Sequence, residues 1–389
     1  MKSLLLVANY DSGTGYAWWL MESFWAKLAE HYHGLFRVML AYPSISSLPK
    51  TISSAPLEAV QHDFNGSGIF QVLSQCRFLR SNNVLAVYFS DKATWHWRYV
   101  AYRLYGVRVI VVHDHTPGAR SPVRGLTKLL KKAIHRLPWL PVDAAIGATE
   151  YVRKRLVVVN RLPADRCFAA PNGLPPAKGN LEKVNLHRLF CIPEHRKILI
   201  MTGRAHIYKG LNFMLEVLAS LKSSGEQTFH FLFIGDGPHL KLFQDTARNL
   251  GLVEYVTFAG ERTDIPSLLL GADIAVHPSK GEVGYSLSIL EYMRAGLPVV
   301  VPDNPSVCGA TEHEVTGLVY PAEDLQKAAL SIQRLLDDSD LSKRLGRQAK
   351  AAVRKYTLQN THAGLLNAFA QLERQNMLVL SGSHGNNPR

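Results

Sequence analysis

His277-Pro-Ser-Lys-Gly-Glu-Val-Gly-Tyr-Ser-Leu-Ser-Ile-Leu-Glu-Tyr-Met-Arg-Ala-Gly-Leu-Pro-Val-Val-Val-Pro302 is the stretch on which the reading of the fold turns. It divides into loop, helix and strand. Gly281 and Gly284 punctuate the loop, and Ser286 suits an N-cap ahead of Leu287, Ile289, Leu290 and Met293. Gly296 fits the position after a helix that needs positive φ, Pro298 forbids continuation, and Val299, Val300 and Val301 read as a buried strand. A helix that opens on a glycine-bearing loop offers unpaired N–H groups and a partial positive charge, which suits phosphate. Glu291 falls about one and a half turns into that helix, where a carboxylate can accept from both hydroxyls of a ribose diol. Taken alone, Glu291 is more simply read as a solvated surface acid, and the rest of the chain is what favours the ribose.

Working outward, the same alternation recurs. Ser3–Ala8 is a short apolar run leading into a loop with Gly13 and Gly15 and then a helical pattern through Leu20, Phe24 and Leu28. Further strands are expected at 35–40, 57–61, 84–89, 107–112, 144–146 and 167–170, with helical segments between most of them. Pro171-Asn-Gly-Leu-Pro-Pro176 is the best break in the chain. A second series follows at 198–201, 229–234, 256–258, 274–276 and 299–301, and then helices after residue 322. The expected fold class is α/β, two Rossmann-like doubly wound domains (1–175 and 176–375) facing a central cleft. The last helices are free to pack back on the first domain, and the tail 376–389, above all from Ser381, reads as disordered.

Composition agrees with two ordinary cores. The chain has 389 residues, 47% apolar and 19% charged, and no apolar run approaches a membrane span. Four scattered cysteines show neither a metal spacing nor a disulfide framework, and no signal peptide is legible, so a cytoplasmic protein is expected. The net charge of +13 is uneven. Residues 1–175 hold 21 Lys and Arg against 10 Asp and Glu, a net +11, and the remainder is +2. The first half therefore expects an anionic partner.

Three further loops bear polar groups at strand ends. Met201-Thr-Gly-Arg-Ala-His-Ile-Tyr-Lys-Gly210 places Arg204 and Lys209 beside Gly203, two cations able to offset a diphosphate that leaves with extra charge, or simply two solvated bases. Phe258-Ala-Gly-Glu-Arg262 offers a surface, with Arg262, for a nucleotide base. Val109-Ile-Val-Val-His-Asp-His-Thr-Pro-Gly118 puts His113 at the end of a buried strand, where a functional and a structural role are equally open.

Arg204…Lys209-Gly210, the Ile234-Gly-Asp-Gly-Pro turn and Gly284-Tyr-Ser-Leu-Ser-Ile-Leu-Glu-Tyr-Met-Arg-Ala-Gly-Leu-Pro-Val together resemble the retaining GT-B glycosyltransferases of family 4, the group 1 type. The order of the Gly13/Gly15 loop, His113 and the Pro171-Asn-Gly hinge resembles it too. The resemblance implies a nucleotide-sugar donor held mainly by the second domain. Arg204 and Lys209 would clamp its diphosphate with the N–H groups of Tyr285, Ser286 and Leu287, and Glu291 would hold the ribose. Gly13 and Gly15 would line the diphosphate and His113 would touch the transferred sugar. It also implies transfer with retention and no metal or other cofactor. One departure matters: the family's first glutamate falls at Val283, with Glu282 one place earlier, and Ser286 stands where a second glycine is usual. Because the loop is glycine-bearing, Glu282 is expected to reach the sugar while Val283 points into the protein.

The acceptor is read from Ala119–Leu140. Arg124, Lys128, Lys131, Lys132 and Arg136 interleave with Leu126, Leu129, Leu130, Ile134 and Leu137, ending at Trp139, and Arg153, Lys154 and Arg155 extend the patch. Segment 120–139 suits an anionic membrane surface, or packs its leucines on the sheet and wets its lysines. The expected function is sugar transfer to a lipid-linked or envelope-glycan acceptor at the inner membrane face. The competing readings are a catalytically silent binding subunit, a nucleotide-sugar epimerase, and a nucleic-acid binder; no RNA-binding motif supports the last.

Overall fold

The computed structural model describes residues 1–14, 19–177, 179, 181–375 and 377–378. Gly15 and the tail from Ser381, both singled out above, lie outside the described residues. The chain forms two compact units, Met1–Thr116 with Arg120–Pro171 and the residues from Asn360, and Asn172–Gln359 with Pro117–Ala119.

The first unit is built on strands β1 (Ser3–Val7), β2 (Arg37–Tyr42), β3 (Glu58–Gln61), β4 (Val84–Ser90), β5 (Val109–Asp114), β6 (Ala144–Gly147) and β7 (Cys167–Ala169). They lie in the order β3-β2-β1-β4-β5-β6-β7, every pairing parallel. β1, β4 and β5 are buried along their whole length, which explains why they read as continuous apolar runs: both faces are covered. Helices Trp19–Tyr32, Ile69–Ser81 and Trp97–Leu104 make crossovers, and Phe24, Trp25 and Leu28 of the first of them are fully buried. The helix Leu358–Arg374 belongs to this unit over most of its length. Tyr32 donates from its hydroxyl to Glu373 at 2.6 Å, and Gly364 packs so closely on Ala169 that a Cβ there would stand 2.8 Å from its carbonyl.

The second unit holds β8 (Lys197–Thr202), β9 (Phe229–Ile234), β10 (Val256–Phe258), β11 (Ile274–Val276), β12 (Val299–Pro302) and β13 (Gly317–Tyr320). Their order is β10-β9-β8-β11-β12-β13, again all parallel. Alternate residues of β8 feed opposite cores: Leu199 and Met201 pack with Leu215, Leu218 and Phe231, whereas Ile198 and Ile200 pack with Ile289, Leu290 and Met293. The helix Leu287–Ala295 starts at a Ser286 cap accepting from Ser288 N–H, and ends at Gly296 with φ 83°. β13 is an addition to the expected series. Among the described residues, no helix is long and apolar enough to cross a membrane.

Candidate functional site

A doubly wound sheet binds at the carboxyl ends of its strands, where connections diverge. In the second unit that point lies between β8 and β11. The loop after β8 carries Gly203 to Gly210 and the loop after β11 carries His277 to Ser286, so strand order alone brings the two suspected phosphate loops together. Gly210 makes their approach possible. Its φ of 78° is strained for any other residue, and a Cβ there would stand 2.0 Å from Pro278 O.

The consequence is a three-residue cluster at that seam. Lys209 Nζ lies 2.6 Å from Glu282 Oε1, and His277 Nε2 lies 3.0 Å from the same oxygen. All three side chains are largely withdrawn from solvent. Burial alone would raise the Glu282 carboxyl, but the Lys209 ammonium and the His277 hydrogen bond outweigh it and hold Glu282 down at about 2. Burial likewise works against the Lys209 charge, and Glu282 overcomes it, so Lys209 titrates above its ordinary value. His277 is lowered by burial, only partly offset by Glu282. It is therefore neutral at pH 7, and its contact with Glu282 is a hydrogen bond rather than an ion pair.

This arrangement corrects one expectation. Glu282 is buried and turned onto Lys209 and His277, while Val283 is the more exposed of the two. The physical reason is charge: a carboxylate beside a nearly buried ammonium gains more from the pair than from solvent, and a valine at a loop surface costs little. His277 is the partner that the sequence reading passed over. The signal was present in its place at the strand end, five residues before the acid it bonds.

Around this seam the other expected residues fall as follows. Arg204 is exposed and has no ion pair among the described residues. The N–H of Gly284 is committed to Ser306 O at 2.7 Å, and the Tyr285 hydroxyl donates to Asn172 O at 2.9 Å. That leaves the backbone N–H groups of Tyr285, Ser286 and Leu287, for which no acceptor is found among the described residues, at the start of a nine-residue helix. Glu291 is half-buried and makes no hydrogen bond or ion pair among the described residues. Burial raises its carboxyl, and Arg294 offsets only part of that. Gly203, at φ 152°, has open space where a side chain would stand. Arg262 is not free: its guanidinium grips Asp264 with two contacts, at 2.9 and 2.7 Å.

Gly13 sits in the turn after β1, where a Cβ would crowd the Ser46 hydroxyl. His113 ends β5 and is fully buried, its Nδ1 2.5 Å from the Tyr88 hydroxyl and its ring 4.9 Å from Phe24. Its Nε2 has no hydrogen-bond partner among the described residues. Burial, with help from the His115 charge, pushes His113 well below its ordinary value, so it is neutral at pH 7.

Residues 185–352, all within the second unit, match the family model described as Glycosyl transferases group 1. An uncharacterized glycosyltransferase, MJ1607, of Methanocaldococcus jannaschii is 25% identical over 61% of this chain and 63% of its own. Alpha-D-kanosaminyltransferase of Streptomyces kanamyceticus is 27% identical over 64% and 67%. The lipopolysaccharide core biosynthesis mannosyltransferase LpsB of Rhizobium meliloti is 34% identical over 40% and 46%. The chain thus spans about half to two thirds of the length of these relatives. Among solved structures, Anabaena HepE in complex with UDP and glucose superposes with a TM-score of 0.72 at 17% identity, over 96% of this chain and 100% of that one. A glycosyltransferase from Rickettsia africae gives 0.74 at 16% identity, over 96% and 98%. The two parallel sheets with these neighbours are the GT-B fold, as the motif order implies.

Proposed function

We propose, from the premise that residues 185–352 are a group 1 glycosyltransferase region on a GT-B fold, that this protein moves a sugar from a nucleotide-sugar donor to a lipid-linked or envelope-glycan acceptor at the inner membrane face. The observation that carries the donor half is one juxtaposition: a helix N-terminus whose N–H groups are unpaired among the described residues and, inside the same helix, a partly desolvated Glu291 with no partner among them. A partly desolvated, acceptor-only carboxylate fits a ribose diol, and the N–H groups fit the diphosphate carried on the 5′ carbon of the same ribose. HepE, a neighbour in fold, is described with UDP and UDP-glucose, which agrees with this donor class.

Roles follow from the geometry. Arg204 meets the diphosphate with an uncommitted guanidinium. Lys209 has three donors and spends one on Glu282, so it can hold a phosphate oxygen while Glu282 fixes its direction. Glu282 is then a positioning residue acting through Lys209. In this reading the transfer retains configuration and needs no metal, the leaving diphosphate being met by Arg204, Lys209 and the helix N-terminus. A leaving phosphate oxygen takes the acceptor proton on the same face. His113, neutral, fully buried and with Nε2 unpartnered among the described residues, is the sugar contact of this reading.

Two measurements test this. Thermal shift across a panel of nucleotide sugars should single out one donor class, and release of nucleoside diphosphate should then require a membrane-extracted acceptor. No shift with any nucleotide sugar would overturn the donor reading. Binding without turnover would identify a silent subunit instead, the alternative that Val283 favours.

A further inference from the structure

The amino ends of the first unit's strands, opposite His113 and Gly13, carry a feature that sugar transfer does not use. Arg108 precedes β5, Asp143 precedes β6 and Arg166 precedes β7, and with Arg103, Arg136 and Trp139 they line a cavity of about 440 Å³. Arg103 is structural there. It donates to the carbonyls of Arg108, Trp139 and Pro141 and pairs with Asp143 at 2.9 Å, so the only acid in the wall is already neutralised. His135, also in the wall, has both ring nitrogens occupied, by Thr94 and by Lys131 O. The guanidinium groups of Arg108, Arg136 and Arg166 have no hydrogen bond or ion pair among the described residues. Three guanidinium groups around one cavity repel each other, and an anion bound among them removes that cost; their planar forks match phosphate oxygens.

The rim of the cavity is apolar. Leu137 and Trp139 line it while 50% and 54% exposed, and Trp139 is held at φ 66°, a strained backbone for an aromatic residue. Immediately before it runs the helix Gly125–Ile134, which has no buried residue at all. Leu126, Leu129 and Leu130 are 80%, 63% and 58% exposed, so the option that these leucines pack on the sheet is not what the structure has. Lys131 Nζ donates to Val159 O and the His135 cap bonds Thr94, which ties the helix to the unit while leaving its leucines without apolar cover. Lys128 and Lys132 are exposed beside them.

We propose that this edge of the first unit docks on a membrane, the cavity of Arg108, Arg136 and Arg166 taking the phosphate of an anionic phospholipid headgroup while Leu126, Leu129, Leu130 and Trp139 enter the acyl boundary. Charge complementarity and the continuous apolar rim select a lipid over a free anion, for which exposed leucines would have no use. The inference rests on the lipid-linked acceptor in the reading above and not on its donor chemistry.

The test is co-sedimentation of the full chain with vesicles of phosphatidylcholine alone, and of phosphatidylcholine with phosphatidylglycerol, at low salt. Binding is expected only with phosphatidylglycerol. Each lost charge should weaken it about fivefold, so the triple variant Arg108→Gln, Arg136→Gln, Arg166→Gln should bind on the order of a hundredfold less tightly. Its melting temperature and its nucleoside diphosphate affinity should match wild type. Leu126→Ser with Leu130→Ser should also lose vesicle binding, and as exposed positions they leave folding intact. Wild-type vesicle affinity in the arginine variant would overturn the headgroup site. Inorganic phosphate or an oligonucleotide binding as tightly as the vesicles would do the same. Calorimetry of nucleoside diphosphate without vesicles reads the donor site separately, so failure of one is not failure of the other.

Discussion

Glu282 and Glu291 share one loop-and-helix element but are held in opposite electrostatic states, and each state has a measurable consequence. Glu282 titrates near 2 against an ordinary 4.5, a difference worth roughly 3 kcal/mol. Because its folded value is depressed, that stability is present above about pH 4.5 and is lost as pH falls towards 2. The raised Lys209 is the other side of the same pair and is not counted again. Glu282→Gln leaves a nearly buried ammonium without its counter-charge and should lower unfolding free energy at pH 7 by about 3 kcal/mol. Urea titrations should also show a flatter acid limb for the variant between pH 5 and 2, as expected for linkage through one carboxyl; equal stability and equal slopes would contradict the pair. For Glu291 the sign reverses. Its raised carboxyl means that keeping it ionised above its ordinary 4.5 costs folding stability, a cost retained where it serves binding. Glu291→Ala should therefore raise the melting temperature while weakening nucleoside diphosphate binding by about 1.5–3 kcal/mol. Calorimetry checks the second half, and unchanged affinity would remove Glu291 from the ribose.

At the scale of elements, the seam between the loops after β8 and β11 depends on Gly210. Gly210→Ala sets a side chain against Pro278 O at a strained φ, and should cost about 2 kcal/mol or more while moving Lys209 off its partner. Gly203→Ala is the useful comparison, since its own added methyl meets open space and only the backbone strain remains. Nucleoside diphosphate affinity should fall further in the first variant than its stability loss alone explains. Arg204→Ala and Lys209→Ala should lower kcat more than they raise KM, because charge grows on the leaving diphosphate. A raised KM at unchanged kcat would contradict that role. The same elements show what a sequence can and cannot disclose. The helix Leu287–Ala295 was legible to its last residue, because a serine cap and a positive-φ glycine are local signals. β13 was missed because Gly317-Leu-Val-Tyr320 is four residues long, and its glycine is demanded by Val299 of the neighbouring β12 rather than by its own chain neighbours. The inward turn of Glu282 was illegible for a related reason: it is set by Lys209, which reaches it from the loop after β8, and by a loop fold that brings His277 back onto it. The amphipathic run 125–134 was plain, but whether its leucines were covered is a tertiary fact that periodicity does not carry.

At the scale of the whole molecule, charge and tryptophan are unevenly divided along the chain. Most of the net +13 lies before residue 176, and all six tryptophans lie at or before Trp139, whereas the phosphate loops lie after residue 196. Each unit has its own apolar core, one around Leu5, Val87 and Ile110, the others on the two faces of the β8 sheet. Tryptophan fluorescence therefore reports unfolding of the first unit, and far-UV circular dichroism reports both. A ligand that binds only the native form stabilises by mass action, about 2.7 kcal/mol at a hundred times its Kd. For units of this size that is roughly a 5–10 °C rise in midpoint. With excess nucleoside diphosphate, the circular dichroism transition should gain a component displaced upward by that amount, while the fluorescence midpoint stays within a degree or so of its unliganded value. The expectation follows from Arg204, Lys209, Glu291 and the free N–H groups all belonging to the second unit. A fluorescence midpoint that climbs as far as the dichroism component would contradict a donor site built mainly from those residues, because the added stability would then be reported by the unit that lacks them.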